Sequence, residues 1–395
     1  MKFKNKGRKI YKTKEKNYYG KSPFGKFMSG ALTVLLIGGI GFLGYSAAEP
    51  IINYTKHKGD EPSVPEQTTV PTETSTEAVT TAMTEIVTEP PTEPVTEGSY
   101  MSVSLKGTDL ANSDTLRAAL AAVTKNEEIT YIQLPLKTVG GDVNYVSSIA
   151  EAQNSIKSTL TLSEIVAEVE NSGYKATAVV SVFRDNSMPA FYNDGGYVLA
   201  SNGTLWYDLQ GKPWASPYAQ RAIDYNSAIV TELSNAGFER IICSDFVFPD
   251  FTEYDLQILD PILGKNDRCM SMTSTANLLY SIAVSNGSEM QVEVTAEDII
   301  CGRKDILQPM LLSSNNIVLN IEINKLVSGI QAGENLYEFK GTPAEMVEQC
   351  LIQVNGDIVD FNTTVRISGA SFPPTELTSI KKVLSEYGYK SVVIG

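Results

Sequence analysis

The chain has 395 residues, a formal net charge of −14 and a single histidine, and its charges are unevenly spread. Residues 1–26 hold ten Lys or Arg against one Glu, whereas residues 99–395 hold 20 basic and 35 acidic side chains. So acidic a body excludes nucleic acid as a partner, because phosphate affinity needs basic surface. The histidine, His57, lies outside the body. The body can therefore form no Ser-His-Asp triad, Cys-His pair or His-ligated zinc site. Carboxylate chemistry stays open, since glycoside hydrolysis in its usual form needs two Asp or Glu and no imidazole. A body without any catalysis stays open equally. Cys243, Cys269, Cys301 and Cys350 have no C-x-x-C spacing. Free thiols are the plain reading, with Cys243 and Cys269 inside apolar strand patterns, and neither a metal nor a cofactor is expected.

In chain order, residues 1–26 read as a basic cytoplasmic tail and 27–48 as an uncharged apolar run of about the ~20 residues that cross hydrocarbon. Lys and Arg before the run place the N-terminus in the cytoplasm and the rest outside. Ser46-Ala47-Ala48 would suit a signal peptidase, but the run is long for a cleaved signal, so an uncleaved signal anchor in the cell membrane is expected. Residues 49–98, rich in Thr, Pro and Glu, cannot bury enough apolar surface to fold. They read as a disordered extracellular linker that holds residues 99–395 away from the membrane, within a wall layer.

The body alternates. Strands are predicted at 100–106 and 129–136, with a helix over 113–125 between them. A helix follows at 162–172, stopped by Gly173, then a strand at 176–183. A loop holding both tryptophans leads to a helix at 218–236 and a strand at 240–248. The spacing predicts a fifth strand at Arg268–Met272, its helix at Ser274–Ser285, and a sixth strand at Ile306–Leu312. A helix at 343–354, a strand at 364–368, a helix at 373–387 and a strand at 390–394 complete the series. Eight strands alternating with helices predict a (β/α)8 TIM-like barrel, with its last helix missing or replaced. An open doubly wound sheet is the competitor, but no Gly-x-Gly-x-x-Gly or phosphate loop follows a strand, and Gly140-Gly141-Asp142 is a lone turn.

The segment Val182-Phe-Arg-Asp185, Leu205-Trp-Tyr-Asp208, Gly211-Lys-Pro-Trp214, Ser216-Pro-Tyr218, Asp224-Tyr-Asn226 and Asp245-Phe-Val-Phe-Pro249 resembles a family of glycoside-hydrolase barrels from exported bacterial proteins, whose activity is mostly inferred from fold. The resemblance implies a TIM barrel and a carbohydrate substrate. Its departures imply lost polar groups. The second strand carries Leu134-Pro-Leu-Lys137 in place of an acid before the lysine, and Phe248 directly follows Val247 where the family has an arginine. Where the fifth strand would carry an acid, Ser271-Met-Thr-Ser274 stands, and Ser314-Asn-Asn316 replaces a Ser-His-Tyr.

Asp245 and Asp185, at the ends of their strands, are the candidate catalytic carboxyls, because barrel enzymes place chemistry at that face. A backbone-satisfied carboxylate is the plainer account of the first, and an ion pair or turn cap of the second. Arg184, Trp206, Tyr207, Asp208, Trp214 and Tyr218 are the candidate substrate contacts, since sugar C–H faces stack on aromatic rings. Those rings could equally pack the long loop. Asp250 reads as solvated, and Glu322 as an outsider ten residues past the sixth strand. Three functions remain: a membrane-anchored glycosidase acting on cell-wall or environmental polysaccharide, a pseudoenzyme that binds glycan, and a non-catalytic, partner-binding ectodomain of envelope assembly.

Overall fold

The computed structural model describes residues 101–123, 129–259, 263, 267–303 and 305–394. The expected basic tail, membrane anchor and linker (1–26, 27–48 and 49–98) lie outside these residues. Among the described residues no helix is long and apolar enough to cross a membrane.

Eight parallel strands close a barrel. They are β1 (Met101–Ser104), β2 (Ile129–Lys137), β3 (Lys175–Ser181), β4 (Arg240–Ser244), β5 (Glu289–Thr295), β6 (Asn316–Glu322), β9 (Asn362–Ser368) and β10 (Val392–Ile394). β1 pairs with both β2 and β10, so no edge is left open. A two-stranded hairpin, β7 (Ile330–Ala332) with β8 (Asn335–Tyr337), stands apart from the barrel. The barrel expected from the alternation of elements is therefore the fold.

The crossover helices start where short polar residues satisfy free backbone N–H groups. Asn112 caps α1 (Ser113–Ala122), and Thr161 with Glu164 forms a reciprocal capping box for α2 (Leu162–Asn171). After β3 come the short α3 (Ser187–Phe191), the tryptophan loop and the long α4 (Gln220–Asn235). α5 (Glu253–Ile258) and α6 (Arg268–Ser285) follow β4. α7 (Ala296–Ile300) follows β5, α8 (Ile323–Ser328) follows β6, and α9 (Pro343–Ile358) and α10 (Pro374–Glu386) flank β9.

Two strand assignments are overturned. Residues 268–272 are the first turns of α6, whose cap Asp267 accepts the Met270 N–H, so the whole of 268–285 is one helix and Cys269 is helical. Residues 306–312 are loop. Pro309, inside that apolar run, has no N–H for a ladder, which is why the run does not pair. The true fifth and sixth strands are Glu289–Thr295 and Asn316–Glu322, bonded to each other and to β4 and β9.

The core forms two layers. Ala176, Ala178 and Val180 of β3, and Met290 and Val292 of β5, join the apolar cluster shared with the helices. The alternate positions Gln133, Thr177, Arg240, Gln291 and Arg366 are buried too, yet polar. Arg366 of β9 lies 3.0 Å from Glu293 of β5, two strands away, so the pair spans the barrel interior. Its Nη1 donates to Ser104 Oγ (3.1 Å), which donates in turn to Gln133 Oε1 (3.3 Å). Lower in the barrel Arg240 pairs with Glu289 at 3.2 Å. The interior expected to have shed its polar groups is a hydrogen-bonded, charged network. Barrels are more often filled by branched apolar residues.

Candidate active site

The mouth at the C-terminal ends of β4, β5 and β6 opens into a cavity of about 760 Å³, within the range of small-ligand sites. Among the described residues its wall carries the carboxyls of Asp208, Asp245, Asp250, Glu293, Glu297, Asp298, Asp305 and Glu322. The cationic side chains beside them are Arg184, Arg303 and Lys325.

Asp245 ends β4. It is the one described residue other than glycine with a positive φ, 58°. Such a backbone costs roughly 1–3 kcal/mol and persists only where the surroundings impose it. Here the Asp245 carbonyl accepts the Phe183 N–H (3.3 Å), and Ser244 Oγ donates to its Oδ2 (2.9 Å). Arg184 Nη1 lies 3.6 Å from Oδ1.

Glu293 is the residue that the strand misassignment hid. The last β4–β5 rung joins Cys243 to Val292, so Ser244 and Glu293 come next on their strands and Asp245 follows. Asn320 Nδ2 donates to Glu293 Oε1 (3.1 Å), and Ser368 Oγ fixes Asn320 by donating to its Oδ1 (2.7 Å). Burial pushes the Glu293 carboxyl above the usual glutamate range. Arg366 pulls it down, Asp245 pushes it further up, and the hydrogen bonds from Asn320 and Arg366 also oppose the rise. Burial likewise raises Asp298, against the Thr295 hydroxyl and Arg303, with Glu297 and Asp245 adding to the rise. The sequence did hold a signal for Glu293. Glu289-Met-Gln-Val-Glu-Val-Thr295 alternates polar and apolar residues with the strict period of a strand.

The other expected residues divide. Arg184, Asp208 and Trp214 line the cavity. Trp214 Nε1 donates to Asp208 Oδ2 (2.8 Å), and the Arg184 guanidinium lies over the Trp214 ring at 5.9 Å. Burial acts to raise the Asp208 pKa, but hydrogen bonds from Trp214, Lys212 and Gln210 outweigh it and leave Asp208 below the usual range.

Asp185 does not line the cavity. Its side chain is fully buried 3.0 Å from Lys137 Nζ, so the expected pairing of its carboxyl with Asp245 gives way to an internal ion pair. Trp206 is 4% exposed, donates to Asp255 Oδ1 (2.9 Å) and packs on Tyr197 and Phe251. It is the core of the loop rather than a contact surface. Tyr207 is exposed outside the cavity wall, and Tyr218 packs on Phe248 at 5.8 Å, also off the wall. Glu322, the last residue of β6, lines the cavity and is no outsider. Arg303 Nη2 donates to the Phe248 carbonyl (2.8 Å), and its Nη1 lies 3.2 Å from Asp250.

Trp206→Ala should therefore cost about 3–5 kcal/mol of stability, the range for emptying a buried aromatic site. Trp214→Ala, at a ring only partly buried against the core, should cost clearly less. Equal stability losses in the two variants, measured by urea unfolding, would refute this division.

Residues 102–285 match the family model of a putative glycosyl hydrolase domain. The resemblance carried by the 176–250 segment falls within that match, which covers a little under half of the chain. Among solved structures, the glycoside hydrolase domain of PgaB (BpsB) from Bordetella bronchiseptica aligns with a TM-score of 0.51 at 14% identity, over 75% of this chain and 93% of that one. At this identity the likeness supports the barrel fold alone. A hypothetical protein from Ruminiclostridium thermocellum aligns at 0.40 with 17% identity, over 48% of this chain and 96% of that one. Ega3 of Aspergillus fumigatus, solved with galactosamine, aligns at 0.36 with 10% identity, over 75% and 91%. No curated protein matches the chain.

Proposed function

We propose that the body is a glycoside hydrolase, held outside the cell by an N-terminal membrane anchor and acting on wall or environmental polysaccharide. The observation that carries this reading is the carboxyl pair at the mouth: Glu293, buried and raised, facing Asp245 on the neighbouring strand. Neighbouring strands lie about 4.8 Å apart. Carboxyls carried at neighbouring strand ends can reach the separations that glycosidases use, about 5–5.5 Å for retention and about 6.5–9.5 Å for inversion. Glu293 is suited to protonate the leaving oxygen, and Asp245, balanced by Arg184, to act on the opposite face of the sugar as nucleophile or base. Trp214 offers a ring beside them for a sugar face. An acid on the fifth strand, Glu293, supports the reading. The basic tail and apolar run support the anchor and the outward location.

The wall carries more carboxyls than cations, which favours neutral or amine-bearing glycans over uronate-bearing ones. The full-length chain in mild detergent should release reducing ends from peptidoglycan sacculi or from a neutral or amine-bearing polysaccharide, but not from alginate. Release from alginate alone would overturn the charge argument. A second reading, glycan binding without cleavage, draws on Arg366, whose charge 3.0 Å from Glu293 favours the ionised carboxylate. Saturable binding of the same polymers with no new reducing ends would select it.

A further inference from the structure

The barrel holds a buried charge that the proposed chemistry does not touch. Lys137 ends β2, and its side chain and that of Asp185 are both 0% exposed. Lys137 Nζ donates to the carbonyls of Ser181 (2.6 Å) and Val182 (3.2 Å) and to Asn226 Oδ1 (3.3 Å), and it lies 5.3 Å from the centre of the Tyr225 ring. Neither Lys137 nor Asp185 lines the cavity. A pair so placed is weak evidence for stability in itself, because well-packed apolar residues often serve as well. Its position suggests another use.

We propose that Lys137 is a positioning residue for one wall of the mouth, acting through Asp185 on Arg184 and Trp214. This rests on the reading of Asp245 as part of the active site. Asp185 is the pin at which three chain segments meet. Its Oδ1 accepts the N–H groups of Ser187 and Met188, both at 2.9 Å, which fixes the segment after β3. Its own carbonyl accepts the Ala215 N–H (3.0 Å), next to Trp214. The carbonyl of the preceding Arg184 accepts the Gly140 N–H (2.7 Å), and Asn186 N–H returns a bond to the Gly140 carbonyl (3.3 Å). Gly141, at φ 93°, lies so close that a Cβ there would stand 2.1 Å from Asp185 Oδ1. Val139, Arg184 and Trp214, carried by these segments, all face the cavity, and Arg184 ends beside Asp245. With the Lys137 charge gone, the Asp185 side chain loses its counter-charge and turns toward water, and the Arg184 guanidinium leaves Asp245 with it.

The test follows the Arg184 guanidinium itself, by side-chain ¹⁵N NMR of the full-length chain labelled at arginine, with the Arg184 signal identified by its loss in Arg184→Gln. Lys137→Met is expected to move the Arg184 Nε signal in the same direction as Asp245→Asn, which removes its partner, and Lys137→Arg to restore most of the wild-type position. Turnover on the cleaved polysaccharide should fall by about 10²-fold, with KM changed far less. If Lys137→Met does not fold, Gly141→Ala, whose Cβ would displace the Asp185 carboxyl, supplies the same readout. An Arg184 signal that matches wild type in the folded Lys137→Met or Gly141→Ala chain, or that Asp245→Asn leaves unmoved, overturns the proposal. Failure of the hydrolase reading shows differently, as a wild-type chain that neither cleaves nor binds glycan while the Arg184 shifts remain.

Discussion

Glu293→Gln is expected to lower glycan hydrolysis by about 10²–10⁴-fold, the range for losing a positioned general acid. Glutamine keeps an oxygen for Asn320 Nδ2 and the volume at the mouth, so binding of uncleaved polymer should persist. The expected signature is a fall in kcat with little change in KM, together with loss of the alkaline limb of the pH–rate profile. That limb reports Glu293, whose carboxyl is raised by burial and by Asp245 against the pull of Arg366 and Asn320. The sign for stability follows from the same shift. A carboxyl raised on folding contributes stability that is present below its unfolded value and is lost as pH rises through the folded one. Wild type should therefore lose stability relative to Glu293→Gln as pH rises above the ordinary glutamate range. An unchanged rate in a folded Glu293→Gln chain would remove Glu293 from the chemistry.

Asp185→Ala should produce the largest stability loss of any single polar substitution proposed for this barrel, about 3–5 kcal/mol, because it strands the Lys137 ammonium in a fully buried setting. It also leaves the Ser187 and Met188 N–H groups without their acceptor. The double variant Lys137→Met/Asp185→Asn keeps an acceptor for those N–H groups and leaves no orphaned charge, so it should recover most of the loss. Urea unfolding of Lys137→Met, Asp185→Asn and the double variant closes the cycle. Additive losses would mean that the two side chains do not act as a pair.

The barrel was legible because its strands and helices differ in the period of their apolar residues. The misplacement came where apolar content outweighed periodicity. Residues 306–312 are apolar enough for a strand, yet they cover the cavity as a loop through Ile306 and Leu307. The companion error at 268–272, which are helix, moved the fifth strand away from Glu293 and made the mouth look short of an acid. The sequence offered two roles each for Asp185 and Trp206 and no way to choose between them. Whether a carboxylate at a strand end meets a substrate or a lysine depends on a side chain 48 positions earlier in the chain, at Lys137. Whether an indole faces sugar or Phe251 depends on how a loop folds back on itself. Neither contact has a local pattern.

The charged barrel interior has a consequence for how the molecule fails on heating. Arg366 reaches from β9 to Glu293 on β5 and also to Ser104 on β1, so the proposed acid is held from opposite sides of the closed sheet. No single loop supports it, and local fraying at the mouth leaves it in place. Only separation of the strands releases it, so activity and barrel closure should disappear in one cooperative transition rather than in sequence.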